Sequence, residues 1–204
     1  MSLLLGLTGN IACGKSTVGE IFKSYGIKVL DSDEVVYEIY AQDEDVQKAL
    51  MREFGTLDRK KIAQGVFGKD KTEKRKILES IIHPKVDLRL RDWVKENQAD
   101  EILVNLVPLL FEAKLESRYD YIITVTADKE LQIARLKERN PDLSMDDINK
   151  RIESQLEIAE KLRRSDFSID NSLSIDDLDI QVEEILEQII SKEKLSIQLI
   201  SHKV

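Results

Sequence analysis

Apolar residues along the chain fall into short unbroken runs separated by longer stretches with helical spacing. Leu3 to Leu7 is one such run, bounded by glycines, and reads as a buried strand. From Lys15 to Tyr25 the pattern changes: Val18, Ile21, Phe22 and Tyr25 share one helical face. Gly26 is placed to cap that helix, and Ile27 to Leu30 reads as a second buried strand. Strand, glycine loop, helix and strand make a βαβ unit within the first 35 residues.

Residues 34–97 read as mostly helical, rich in Lys and Glu, with breaks near Gly55, Gly65–Gly68 and His83-Pro84. Pro84 is placed to open a helix running to about Asn97. Glu101–Val107 and Tyr119–Val125 read as further buried strands, the second followed by a helix from Asp128 to Arg139. Asn140-Pro141-Asp142 is a turn. Ser144 begins a very polar helix with a capping-box-like start, Asp147 standing in for Glu. Phe167–Ile169 is a short fifth strand. The last helix places Ile175, Leu178, Val182, Ile185, Leu186 and Ile189 on one face. Strands alternating with helices imply a parallel sheet covered on both sides.

Composition narrows the classes. The chain has 204 residues, enough for one domain or one core with insertions. Its net charge of −8 argues against general nucleic-acid binding, while local Arg and Lys clusters still allow a small anionic substrate. Cys13 is the only cysteine, so no intramolecular disulfide is possible, and two His with one Cys give little support for a structural zinc site. No run approaches bilayer length, and the opening MSLLLGLTG lacks the basic start of a secretory signal. The expectation is a cytoplasmic protein without membrane or nucleic-acid partners. A monomer is expected, an oligomer being the open alternative.

Gly9-Asn10-Ile11-Ala12-Cys13-Gly14-Lys15-Ser16 fits G-x-x-x-x-G-K-[ST], and Thr17 follows. A loop that wraps a phosphate must turn its backbone N–H groups inward. Gly9 and Gly14 permit that backbone, and the helix beginning near Lys15 aims its positive end at the same anion. Lys15 supplies a full charge to the β- and γ-phosphates, and Ser16 offers its hydroxyl to Mg²⁺. The nucleotide-binding set is therefore Gly9, Asn10, Ala12, Cys13, Gly14, Lys15, Ser16 and Thr17, with ATP and Mg²⁺ as its ligands. Cys13 reads as a small residue filling a tight loop. The strand before the loop and the amphipathic helix after it separate the motif from a chance match, and no G-x-G-x-x-G precedes the helix.

Transfer to an alcohol needs a group that orients the hydroxyl and accepts its proton. Asp31 and Asp33 lie just beyond the second strand, where ligands bind in open parallel sheets. By position, one acts as base and the other helps place Mg²⁺ through water, or Asp33 serves as a helix cap.

Taken in order, GNIACGKST, VLDSD, IIHP, VPLLFE and SDFSIDNS resemble the dephospho-CoA kinase family, from Leu5 to about Asn171. The resemblance implies transfer of the ATP γ-phosphate to the ribose 3′-hydroxyl of dephospho-CoA. It also implies an α/β fold: a three-layer P-loop NTPase core with a five-stranded parallel sheet, a helical acceptor-binding insertion and a lid. The core would comprise 1–33, 98–137 and 161–204, the acceptor region 34–97 and the lid 138–160. The family's catalytic Asp falls on Asp33, with Asp31 in support. Thr8, His83, Pro108, Leu109 and Glu112 fall at acceptor-binding positions, and Asn171 on the adenine side of the ATP site. Leu109, Leu110 and Phe111 can equally be core. Among the basic residues of the polar stretch, Arg139 is the expected catalytic lid arginine, ahead of Arg151; Arg135, Gln155, Lys161 and Arg164 lie nearby, and a solvated charged helix is the plain alternative. The chain departs from the family at Leu106, where an acid is often found two residues before the proline. That leaves Asp31 or Glu112 to consider as the outer Mg²⁺ ligand. The nearest rival is another small-molecule or nucleoside monophosphate kinase. A regulatory GTPase would need N-K-x-D and D-x-x-G, and neither occurs.

Overall fold

The computed structural model describes residues 2–66 and 72–199. Strands β1 (Leu3–Gly9), β2 (Lys28–Asp31), β3 (Ile102–Leu106), β4 (Tyr121–Thr126) and β5 (Phe167–Asp170) form one parallel sheet in the order β2-β3-β1-β4-β5. β1 is central, with Leu5 opposite Val104 on one side and Tyr121 on the other. Gly6 is required there, because a Cβ would come within 2.7 Å of Leu110 and 2.9 Å of the Tyr119 ring.

Helix α1 (Lys15–Ser24) buries Val18, Gly19, Ile21 and Phe22 against the sheet. Gly19 allows the close approach: a Cβ would sit 3.3 Å from both Leu106 methyls. Helix α9 (Ile175–Glu193) buries Leu178, Val182, Ile185, Leu186 and Ile189, and starts with a capping box between Ser174 and Asp177. These two helices and the strands enclose the main core, which includes Leu5, Leu7, Cys13, Val104, Ile123 and Ile169. Ile175 departs from the expected face. It is the first residue of α9, before the buried stripe begins, and is 58% exposed.

The chain divides into two compact units, one formed by the residues up to Leu30 together with those from Asn97 on, the other by Asp31–Glu96. The second contains α2 (Ser32–Gln42), α3 (Glu44–Phe54), α4 (Arg59–Val66) and α5 (Thr72–Glu96). α5 packs against the other three, and the buried residues include Val35, Ile39, Val46, Leu50, Ile62, Ile82, Leu90 and Trp93. The expected helix start at Pro84 is not observed. Pro84 lies inside α5, which runs unbroken through His83. Proline costs a helix interior about 3 kcal/mol, and burial of Ile82, Leu90 and Trp93 on both sides of it offsets that cost. Gly55 does end a helix, in the left-handed conformation, while Gly65 stays within α4. Gly68 lies outside the described residues. Among the described residues no helix is long and apolar enough to cross a membrane.

The remaining helices are α6 (Lys129–Arg139), α7 (Met145–Glu153) and α8 (Ile158–Arg164). Ser144 caps α7, as its spacing to Asp147 predicts. The segment beyond α9 returns to the core through Leu195, Ile197 and Leu199.

Candidate active site

β1 ends at Gly9, whose φ of +147° and lack of a side chain let the chain turn hard against the Val125 carbonyl. Asn10 to Gly14 then curl back, with Cys13 N–H donating to Asn10 O at 3.3 Å. Ala12 has φ +59° and Gly14 φ +92°. The left-handed form costs a non-glycine residue about 1–2 kcal/mol, so the surroundings of Ala12 must hold it there. Arg135 of α6 does part of this, donating to Ala12 O at 3.3 Å and to Asn171 O at 3.2 Å. Leu136 of α6 and Ile148 of α7 cluster with Ala12, and Ile11, Ile133, Leu143 and Ile152 pack at the edge of that group.

No side chain caps the start of α1, and its first turn carries no acid. Its N-terminal amides therefore keep their positive end for an anion. Ser16 and Thr17 are exposed there, and Lys15 is half-buried. Lys15 Nζ donates to the Gly9 and Asn10 carbonyls at 3.0 and 3.1 Å and lies 3.9 Å from Cys13 Sγ. The Cys13 side chain is fully buried, as a small filler of the loop would be.

Asn171 follows β5 and is buried beneath the loop. Its Nδ2 donates to Cys13 O at 2.7 Å, and its backbone N–H donates to Thr126 O at 2.9 Å. Beside it opens a cleft of about 310 Å³, lined by Gly14, Thr17, Arg135, Glu138, Arg139, Asn171, Leu173, Ile175 and Leu178. Arg139 is exposed at this cleft. Leu173 and Ile175 give it an apolar wall, which accounts for their exposure.

After β3 the chain enters Pro108–Glu112. Thr8 is fully buried and donates to Pro108 O at 3.4 Å. Leu110 and Phe111 are core, packed with Val107 and Ile122, while Leu109 is exposed. Glu112 Oε1 accepts from Leu156 N–H at 2.9 Å and lies 2.9 Å from Lys161 Nζ, which is fully buried. Burial alone would raise the Glu112 carboxyl, but the Leu156 amide and the Lys161 ammonium hold it below its usual value. Burial pushes Lys161 down, an effect that Glu112 only partly offsets. The end of β3 carries no carboxylate. Leu106 packs into the main core against α1, and Asn105 points the other way, its Nδ2 donating to Tyr119 Oη at 2.9 Å.

In the helical unit, Asp31 is the N-cap of α2 and accepts from Asp33 N–H at 2.8 Å. The cap is therefore Asp31, and Asp33 stands exposed in the first turn. His83 is exposed in the middle of α5 rather than at a helix start.

The structure brings Gly9–Thr17, Asn171 and Arg139 around one phosphate loop and its cleft. It also shows three residues whose part was not evident from pattern. Arg135 and Lys161 sit on polar helices and Gln155 in the polar turn between α7 and α8, where a structural partner and open solvent look alike in sequence. The apolar residues Leu143, Ile148 and Ile152 in an otherwise polar stretch were the available sign that α7 packs on something.

A phosphate loop after the central strand of a five-stranded parallel sheet, with an uncapped helix behind it, defines a P-loop nucleotide-binding protein, and its family makes it a P-loop kinase that uses ATP. The dephospho-CoA kinase family model matches residues 3–177, and the chain belongs to that family. The dephospho-CoA kinase of Bacillus licheniformis is 38% identical over 197 residues, which covers 92% of this chain and 96% of that protein. A Thermus thermophilus protein of known crystal structure matches with a TM-score of 0.81 at 31% identity, covering 92% of this chain and 98% of its own. The dephospho-CoA kinase of Campylobacter jejuni matches with a TM-score of 0.66 at 28% identity over 96% of this chain and 100% of its own.

Proposed function

We propose that this kinase transfers the ATP γ-phosphate to the ribose 3′-hydroxyl of dephospho-CoA, with Asp33 orienting the hydroxyl and taking its proton. The family match through residue 177 carries the reading, because it spans the phosphate loop together with the VLDSD, IIHP and PLLFE segments. The exposed carboxylate of Asp33, presented at the start of α2 and not used as its cap, suits a general base. Lys15 neutralises the β- and γ-phosphates, turning from the carbonyls it holds toward the stronger charge. Arg139, exposed at the cleft, stabilises the transferring group.

Asn171 acts on the nucleotide side by holding the loop, and the wall of Leu173 and Ile175 suits the flat face of a base. Mg²⁺ would be held by the exposed Ser16 hydroxyl and by phosphate oxygens, an arrangement common for this ion, and would neutralise charge on the phosphates. Glu112 is committed through Oε1 to Leu156 and Lys161, while its Oε2 is buried without a hydrogen-bond partner among the described residues, so any outer-ligand role is left to that oxygen. The family resemblance assigns acceptor binding to Thr8, Pro108 and Leu109 in the sheet unit, Thr8 acting from a buried place through Pro108, and to region 34–97 with His83 in the helical unit. Residues 138–160 close over the phosphates, and the reaction takes place in the cytoplasm on a monomer.

ATP consumption measured with and without dephospho-CoA tests this, with nucleoside monophosphates as competing acceptors and mass spectrometry locating the new phosphate. Turnover is expected with dephospho-CoA and at the 3′ position. Phosphorylation of a nucleoside monophosphate but not of dephospho-CoA would overturn the assignment.

A further inference from the structure

The apex of the phosphate loop is gripped by a side chain to which the proposed reaction gives no part. The Ile11 amide donates to Gln155 Oε1 at 2.6 Å, 144 residues away in sequence. The next residue, Leu156, donates its own amide to Glu112, and Glu112 meets the buried Lys161. The turn between α7 and α8 is thus fixed on one side to the loop and on the other to the segment after β3. The packing agrees with the hydrogen bonds. Ile148 of α7 is buried against Ala12, with Ile11 and Ile152 at the same contact.

This grip falls on the strained part of the loop. Ala12, with φ +59°, directly follows Ile11. Turning over the Asn10–Ile11 peptide, which carries this amide, would swing the Asn10 carbonyl away from Cys13 N–H and Lys15 and spoil the convergence of the amides after it. Arg135 restrains the loop after Ala12 through the Ala12 carbonyl, and Gln155 restrains it before Ala12 through the Asn10–Ile11 peptide. A neutral amide oxygen suits this place. It accepts the hydrogen bond without setting a negative charge beside a triphosphate.

We propose that Gln155 is a positioning residue for phosphoryl transfer: it fixes the Ile11 amide and so keeps the phosphate loop in its receptive form. The inference rests on the reading that this loop holds ATP. It also gives part of the expected lid a second role, since the end of 138–160 serves as a fixed buttress of the loop.

The test uses the full chain with ATP and dephospho-CoA varied separately, and thermal unfolding without nucleotide. Gln155→Met keeps the length of the side chain and removes the acceptor. The expected result is a rise in KM for ATP of about tenfold or more, the scale of a buried donor left unpaired, together with a lower kcat. The KM for dephospho-CoA stays within about twofold, and the unfolding midpoint moves by no more than about 4 °C. Lys15→Met runs beside it as the control for the loop. If Lys15→Met weakens ATP and Gln155→Met does not, the positioning role is wrong. If Gln155→Met raises both KM values alike and lowers the midpoint further, Gln155 is only structural and the proposal falls. If Lys15→Met leaves ATP untouched, the reading of the loop fails and this inference fails with it.

Discussion

Around Gly9–Ser16 the backbone is held by side chains from α6, from the α7–α8 turn and from the end of β5, whereas the helices between Asp31 and Glu96 hold one another by other means. On the loop, Arg135, Gln155 and Asn171 each bind a main-chain group directly. In the helical unit the main-chain groups inside the helices pair there, Gln47 of α3 reaches the Tyr40 and Ala41 carbonyls at the end of α2, and cohesion comes chiefly from packing onto α5. Its ion pairs, such as Lys48–Glu44 and Arg75–Glu79, lie within single helices and are largely exposed. Such pairs contribute about 0.3–0.5 kcal/mol each. The Asp43–Lys85 pair is better placed, joining the cap of α3 to α5, and Lys85 together with the Val46 amide draws the Asp43 carboxyl below its usual value. The difference reflects the task. A loop that binds a phosphate with its own amides must be held in one conformation from outside, while a helical surface can present side chains without such support.

The comparison predicts that binding of ATP and turnover separate by region. Asp33→Asn keeps the shape of the side chain at the start of α2 and removes the base. Turnover with dephospho-CoA is expected to fall by about 10²–10⁴-fold, the usual contribution of a positioned base. The stabilisation that ATP gives in thermal unfolding should stay as in the unmodified chain. A variant with full turnover would remove Asp33 from that role. Loss of the ATP-induced stabilisation would instead make it part of the donor grip.

Gly14→Ala is the converse break. The new Cβ would overlap Asn171 Nδ2 and face Arg135 at 3.6 Å, on a backbone at φ +92°. Strain at such a φ costs about 1–3 kcal/mol, and relief requires moving the residue that holds Cys13 O. The ATP-induced shift in unfolding midpoint should disappear, and turnover should fall with it. Retention of both would show that Asn171 can yield without disturbing the loop.

The two regions also differ in how much of them could be read from pattern. The inner strands β1, β3 and β4 were legible because each is a largely apolar run, β5 is only a short alternation of apolar and polar residues, and the phosphate loop was legible because its glycines and Lys15 have a fixed spacing. Asp33 was legible as a candidate because it follows a strand end, and the family resemblance singled it out over Asp31. The helix through Pro84 was not legible: proline argues locally for a boundary, and only the packing of Ile82 and Trp93 on the other helices carries α5 past it. The residues that hold the loop were hidden for a related reason. Gln155 and Lys161 meet partners far away in sequence, and a polar side chain, in a turn like the first or on a helix like the second, gives no sign of which way it faces until the chain is folded.

Leu50 tests the helical unit alone. It is fully buried there, and Leu50→Ala should cost about 2–5 kcal/mol, depending on how far the site collapses around the missing methyls. If the loop is held independently, as its hydrogen bonds indicate, ATP should still raise the unfolding midpoint of this variant by the same amount. A smaller rise would mean that the packing of the helices reaches the donor grip after all.

The smallest expected effect lies in the acid limb of stability and concerns the anchor of the α7–α8 turn. The Glu112 carboxyl is held below its usual value in the folded chain, so its ionised form is favoured by folding. Its contribution is fully present above the pKa of a free glutamate, about 4.3, and is lost as the pH falls through the depressed folded value. Glu112→Gln keeps an oxygen for Leu156 N–H but leaves Lys161 buried beside a neutral group. Stability at pH 7 should therefore drop, and the remaining decline below about pH 4.3 should be shallower than in the unmodified chain. Adding Lys161→Met should recover part of the loss at pH 7, because a buried charge without its partner costs more than the absence of both. Unfolding midpoints of the single and double variants from pH 3 to 8 check this. A double variant no more stable than the single one would mean that Lys161 does more at this site than balance Glu112. Its fully buried ammonium would then have to be counted among the groups that support the loop.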